Sequence, residues 1–164
     1  MKRIIYLLAA VIGLSLTSSC GKDFFDQVLL EGNWGLIRYE MVTSVNGVVE
    51  EDIVTPLDPF NPKTQMDTQL AIRNISGNQY EFSEYIWDNY SASWKLSIKN
   101  VYIVRNDVLF MVQSGREMEY GHFSISASTL TIETIDIHED LLPSGAIQTS
   151  TVSKSTYRRL SEIL

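Results

Sequence analysis

The sequence predicts an all-β protein, an antiparallel up-and-down β-barrel of about eight strands, with a β-sandwich as the alternative. Short runs of alternating or β-branched apolar residues recur between turn signals from about residue 33 to residue 160. Nothing long shows a helical period, and the best helix candidate is the short stretch from Phe24 to Leu29. A small all-β domain must also manage its exposed strand edges, and closure into a barrel removes them.

The elements follow in order. A first strand is expected from about Asn33 to Ser44. Asn46-Gly47, set between valines, then marks a tight hairpin, because both turn positions want positive φ. Pro56, Pro59 and Pro62 make residues 55–67 a loop, since proline cannot donate to a central ladder. Its length and composition place it at the barrel mouth as a mobile segment. Strands are expected at 68–75 and 79–87, joined by a turn at Ser76 to Asn78, and at 93–104, where Trp94, Leu96 and Ile98 alternate with lysine and serine. Arg105-Asn106-Asp107 turns into a strand at 108–114. Residues 119–126 and 129–137 form the next hairpin, with Phe123 and Ile125 answering Leu130 and Ile132. A loop around Pro143 to Gly145 leads to a polar, β-branched last strand at 149–160.

The chain begins differently. Lys2 and Arg3 precede an apolar run, Ile4 to Leu16, which is too short to span a bilayer as a helix, for which about 20 residues are needed. Thr17, Ser18 and Ser19 are small, and Cys20 follows as the only cysteine, unable to form an internal disulfide. Positive end, apolar stretch and small residues make a bacterial secretory signal. Cys20 behind them resembles the lipobox cysteine of bacterial lipoproteins, with Thr17 departing from the aliphatic residue usual there. The resemblance implies that Cys20 becomes the mature N-terminus and carries several acyl chains, palmitate among them, which suits stable anchoring better than one chain does. No aspartate directly follows Cys20, which points to the outer membrane of the cell envelope. The expected organisation is therefore a signal peptide at 1–19, a lipidated tether at 20–29 and one domain at 30–164.

Charge limits the partners. The chain has 13 Lys and Arg against 20 Asp and Glu, a net charge of −7, and loss of Lys2 and Arg3 makes the mature chain more acidic still. With no basic cluster longer than Arg158-Arg159, nucleic acid and bare anionic lipid are poor partners.

Gly32-Asn33-Trp34 opens the first strand behind a short helical turn, and "TYRRL" closes the last strand. First and last strands are neighbours when an up-and-down sheet closes. A guanidinium laid on an indole face at that seam contributes about 0.5–2 kcal/mol, and Gly32 leaves room for it. Gly-x-Trp at the first strand and an arginine at the last resemble lipocalins and related calycins, most closely the lipocalin-like lipoproteins of Bacteroidetes-type bacteria. The Thr-Asp-Tyr signature of true lipocalins is not evident. The resemblance implies a barrel closed by Gly32, Trp34 and Arg159, the arginine followed by an aliphatic residue; Arg158 is the second choice.

Little in the sequence carries chemistry. His122 and His138 have no partner at metal-ligand spacing, and His138-Glu139-Asp140 reads as a loop cap at a strand end. There is no nucleophile elbow, phosphate loop or redox cysteine pair, so no catalytic residue, metal or cofactor is expected. Glu50, Glu51 and Asp52 form a solvated run. Glu81, Glu84 and Asp88 lie near aromatics and could act on a sugar, but an enzyme is the minority reading.

The densest unusual feature is "YEFSEYIWDNYSASW". Tyr80 and Phe82 share one strand face and Tyr85 and Trp87 the other, which predicts a slip in phase near Ser83-Glu84; Tyr90 and Trp94 follow across a polar turn. These six are either core and hairpin packing or the rim of a pocket that takes a small hydrophobic ligand inside or stacks a glycan outside. A barrel of about eight strands is just wide enough either to be filled or to hold one small ligand. The functional expectation is non-catalytic binding of such a ligand, with a filled-barrel accessory protein that meets a protein or glycan partner as the alternative.

Overall fold

The computed structural model describes residues 29–64, 66–142 and 145–161. The leader, Cys20 and most of the expected helical turn lie outside them; Leu29 and Leu30 have helical backbone. Nine antiparallel strands follow: β1 (Gly32–Val45), β2 (Val48–Pro56), β3 (Thr68–Ser76), β4 (Gln79–Asp88), β5 (Ser93–Arg105), β6 (Val108–Gln113), β7 (Arg116–Ile125), β8 (Thr129–Leu142) and β9 (Gly145–Leu160). β1 pairs with both β3 and β9, so eight strands close into an up-and-down barrel, and β2 is an extra strand flanking β1. The expected loop before the last strand is much shorter, because β8 runs on to Leu142 and β9 restarts at Gly145.

Closure is confined to one end, the base of the barrel. β1 meets β3 only from Gly32 to Gly35, β5 meets β6 only from Tyr102 to Arg105, and β7 meets β8 only from His122 to Ile125. Beyond those short seams the hairpins continue without that neighbour, while β8 and β9 stay paired along their whole length. Beyond Gly35, β2 occupies the side of β1 that β3 has left, pairing from Arg38 to Val45. Asn46 and Gly47, at φ 50° and 80°, make the β1–β2 turn, a conformation glycine adopts without steric cost.

The base is packed solid. Leu30, Trp34, Leu109 and Leu130 are fully buried, and Ile72, Tyr80, Val104 and Phe123 join them from the surrounding strands. Each such aliphatic side chain contributes about 1.5–3 kcal/mol relative to exposure. A second layer of Leu36, Leu70, Phe82, Tyr102, Ile132 and Tyr157 lies above.

The 55–67 loop does not sit at the mouth as expected; it lies against the outer wall. Pro59 is fully buried, and a Cβ on Gly35 would come within 2.6 Å of its ring, so the bare glycine is what lets the loop seat. Asp67 is buried, and its Oδ2 accepts the backbone N–H of Lys63 and of Thr64 at 2.7 and 2.8 Å, satisfying the carboxylate locally. Its carbonyl accepts the N–H of Trp87, extending the ladder of β4 where β3 has ended.

Candidate functional site

Two constructions stand out, a clasp at the base and a cavity above the second core layer.

The clasp joins the two ends of the domain. Trp34 lies opposite Arg159 in the β1–β9 register. The guanidinium sits over the indole, 4.2 Å from its centroid. Arg159 Nε donates to the carbonyl of Ala127 at 2.9 Å, Nη1 to that of Glu31 at 3.0 Å, and Nη2 to that of Leu29. The indole Nε1 donates to Leu30 O at 3.1 Å. Gly32 has φ 147°, and a Cβ there would lie 2.5 Å from Arg159 Nη1. Arg158 points outward and is exposed.

The aromatic stretch is divided between the two faces of the wall. β4 runs in unbroken register against β3 from Thr68–Ile86 to Asn74–Tyr80, so the expected slip at Ser83-Glu84 does not occur on β4. The irregularity falls on its partner: Glu84 faces Ile98 and Tyr85 faces Leu96, leaving Ser97 of β5 as the extra residue. Tyr80, Phe82 and Glu84 therefore face inward, Tyr85 and Trp87 outward. Tyr80 is buried in the core. Trp87 and Trp94 meet edge-on at 5.5 Å and, with Pro59, Phe60 and Pro62, border a shallow outer cleft. Tyr90 is fully exposed in a turn where Asp88 accepts its N–H and the Ser91 hydroxyl. Of the six candidates only Phe82 lines the internal cavity.

That cavity, about 550 Å³, opens at the end away from the clasp. Leu70, Phe82, Ile98 and Ile132 give it apolar surface; Tyr39, Tyr102, Tyr120 and Tyr157 bring four phenols. β9 adds Ser153 and Ser155, and β8 adds Thr134. Tyr120 reaches it through a second irregularity, a register shift between Leu109 and Phe110 that leaves Tyr120 without a partner on β6. Its ring lies 4.8 Å from that of Tyr102, tilted by 48°. The Tyr39 hydroxyl is 3.2 Å from that of Ser153. Burial, with lesser contributions that include the nearby Glu84 charge, raises the pKa of Tyr102 and Tyr157 far above the ordinary phenol value. Both are neutral hydrogen-bonding groups at any physiological pH. Burial also raises the pKa of Glu84.

Sequence reasoning missed this lining, yet a signal was present. Thr149, Thr151, Ser153 and Ser155 alternate along β9 on the face that continues to Tyr157. Hydroxyls at inward positions of a barrel strand mark the place where the interior stops being packed hydrocarbon.

The remaining polar residues are scattered. Glu81 pairs with Lys99 at 3.0 Å. His122 lies 3.1 Å from Glu119, and His138, inside β8 rather than at a strand end, lies 3.0 Å from Asp140. Among the described residues no group of three His, Cys, Asp or Glu side chains could hold a metal ion.

Fold and cavity together define a small closed β-barrel with a packed base and an open, tyrosine-lined mouth. The chain matches no protein-family model and no curated protein.

Proposed function

We propose that this chain is a lipocalin-like lipoprotein of the bacterial cell envelope, anchored through Cys20 in the outer membrane, whose barrel binds one small ligand in its mouth without chemistry. The observation that carries the reading is a cavity of about 550 Å³ above a solidly packed base. This volume is within the usual range for small-molecule sites, roughly 300–1,000 Å³. The apolar wall suits a small hydrophobic body, and the ring of hydroxyls suits a polar group at one end of it. Glycosidic cleavage generally needs two carboxyl groups flanking the bond, whereas among the described residues the lining supplies one, Glu84. That favours binding over turnover.

Binding should be visible with Nile red, a neutral apolar dye whose emission rises out of water. Ser155→Phe, which fills the cavity from β9, is expected to abolish the rise while leaving the unfolding midpoint within a few degrees. Unchanged dye binding in that variant would move the ligand site elsewhere. The anchor is tested separately: Cys20→Ser should shift the protein from the membrane fraction to the soluble one, and unchanged fractionation refutes lipidation.

A second reading has its own support. Ile135 and Ile137 are 57% and 61% exposed, and Val49 and Val54 are also exposed on the same outer face of the β8–β9–β1–β2 sheet. Exposed apolar area of this kind suits a surface protein that meets a protein partner.

A further inference from the structure

Glu84 has no structural employment. It stands on β4 directly between Leu70 of β3 and Ile98 of β5, neither of which offers it a hydrogen bond. Among the described residues it takes part in no ion pair and no side-chain hydrogen bond. Setting a carboxylate between two aliphatic side chains in a half-covered cavity disfavours its charge. Among the described residues it is also the one carboxylate in the lining, which there contains no Lys, Arg or His. Among the described residues no group of three His, Cys, Asp or Glu side chains surrounds it to hold a metal ion. Around it stand four phenols, and the Tyr102 and Tyr120 rings meet at 4.8 Å to form a corner.

From this geometry we infer that the barrel mouth is selective for an organic ammonium cation, its charge facing Glu84 and the tyrosine rings, its apolar part on Leu70, Phe82 and Ile132. The inference rests on the binding reading above and narrows the ligand class. Aromatic faces carry negative potential and attract alkylated ammonium groups, whose weak hydration makes them easy to bring out of water. A carboxylate beside such faces adds charge attraction in a site partly shielded from solvent. A fatty-acid carboxylate is disfavoured inside, because it would meet Glu84 with no cation to offset the repulsion. The net charge of −7 draws cations toward the molecule from a distance.

The experiment compares three probes of nearly one shape by calorimetry on the full-length protein. Phenyltrimethylammonium carries the charge, tert-butylbenzene is its neutral carbon isostere, and benzenesulfonate carries the opposite charge. The cation is expected to bind at least about tenfold more tightly than the isostere, with the anion weakest. Glu84→Gln should remove most of that preference. The variant should fold at least as well as the parent, because the pKa of Glu84 is raised in the fold: its ionised form costs stability at neutral pH, and the amide removes the charge. Tyr120→Leu at the rim should weaken the cation several-fold and leave the isostere within about twofold. The preference should also fade as pH is lowered through the raised titration range of Glu84. Equal binding of all three probes, or a cation preference that survives Glu84→Gln, overturns the inference. If tert-butylbenzene binds and Ser155→Phe blocks it while no cation preference exists, the mouth reading stands and the ammonium reading falls. If no probe binds, both fall.

Discussion

Trp34→Ala is expected to cost about 3–5 kcal/mol of folding stability, the range for truncating a buried large aromatic side chain. Trp34 is completely buried, and removing it does three things at once. It opens a void in the centre of the base beside Leu30, it leaves the Leu30 carbonyl without its indole donor, and it takes away the surface on which Arg159 rests. Small domains have only about 5–15 kcal/mol in total, so this one change should leave a large unfolded fraction at 37 °C. Urea unfolding followed by far-ultraviolet circular dichroism measures it. A loss below about 1 kcal/mol would mean that the base collapses around the void and that closure does not depend on the indole.

Arg159→Ala should follow at about 2–4 kcal/mol, because it deprives three carbonyls of their donor and strips the cation from the indole face. The acceptors lie on Leu29, Glu31 and Ala127, so the guanidinium ties the approach to β1 to the β7–β8 turn. Arg159→Lys should rescue little, because an ammonium cannot spread its donors in a planar fork or stack on the indole. Arg158→Ala, exposed and facing outward opposite Gly35, should stay within about 0.5 kcal/mol. A damaging Arg158→Ala beside a silent Arg159→Ala would contradict the β1–β9 register.

Strands were legible wherever a turn announced itself. Asn46-Gly47 and Asn106-Asp107 both end hairpins, and Asn46 and Asn106 have the positive φ that their residue types tolerate. Trp34 could be marked because glycine, indole and a terminal arginine form one physical unit that a closing sheet brings together. The aromatic stretch was not legible in the same way. Its hydrophobic phase changes at Glu84, and a phase change in one strand reads as a bulge in that strand. In the structure β4 is regular, Glu84 faces inward without being apolar, and the bulge belongs to Ser97 on β5. Glu84 was noticed only as one carboxylate among several, since nothing local tells an inward carboxylate from an outward one until register is fixed. The departure of β3 from β1 after Gly35, and the place of the 55–67 loop on the outer wall, depend on packing between distant segments that no local pattern encodes.

The pairing of β1 with β9 sets the order in which the molecule can be assembled. Tyr39 meets Ser153 across 114 residues of chain, and Arg159 reaches Leu29 across 130. The first strand therefore waits for the last strand of the barrel, which supplies the clasp through Arg159. Contacts so remote in sequence place such barrels among the slow folders, on the order of milliseconds to seconds. Until β9 arrives, β1 and β8 each present an edge that other chains could join. On the proposed export route that delay becomes useful, because a nascent chain lacking its final strand stays open and can still be threaded through a membrane pore.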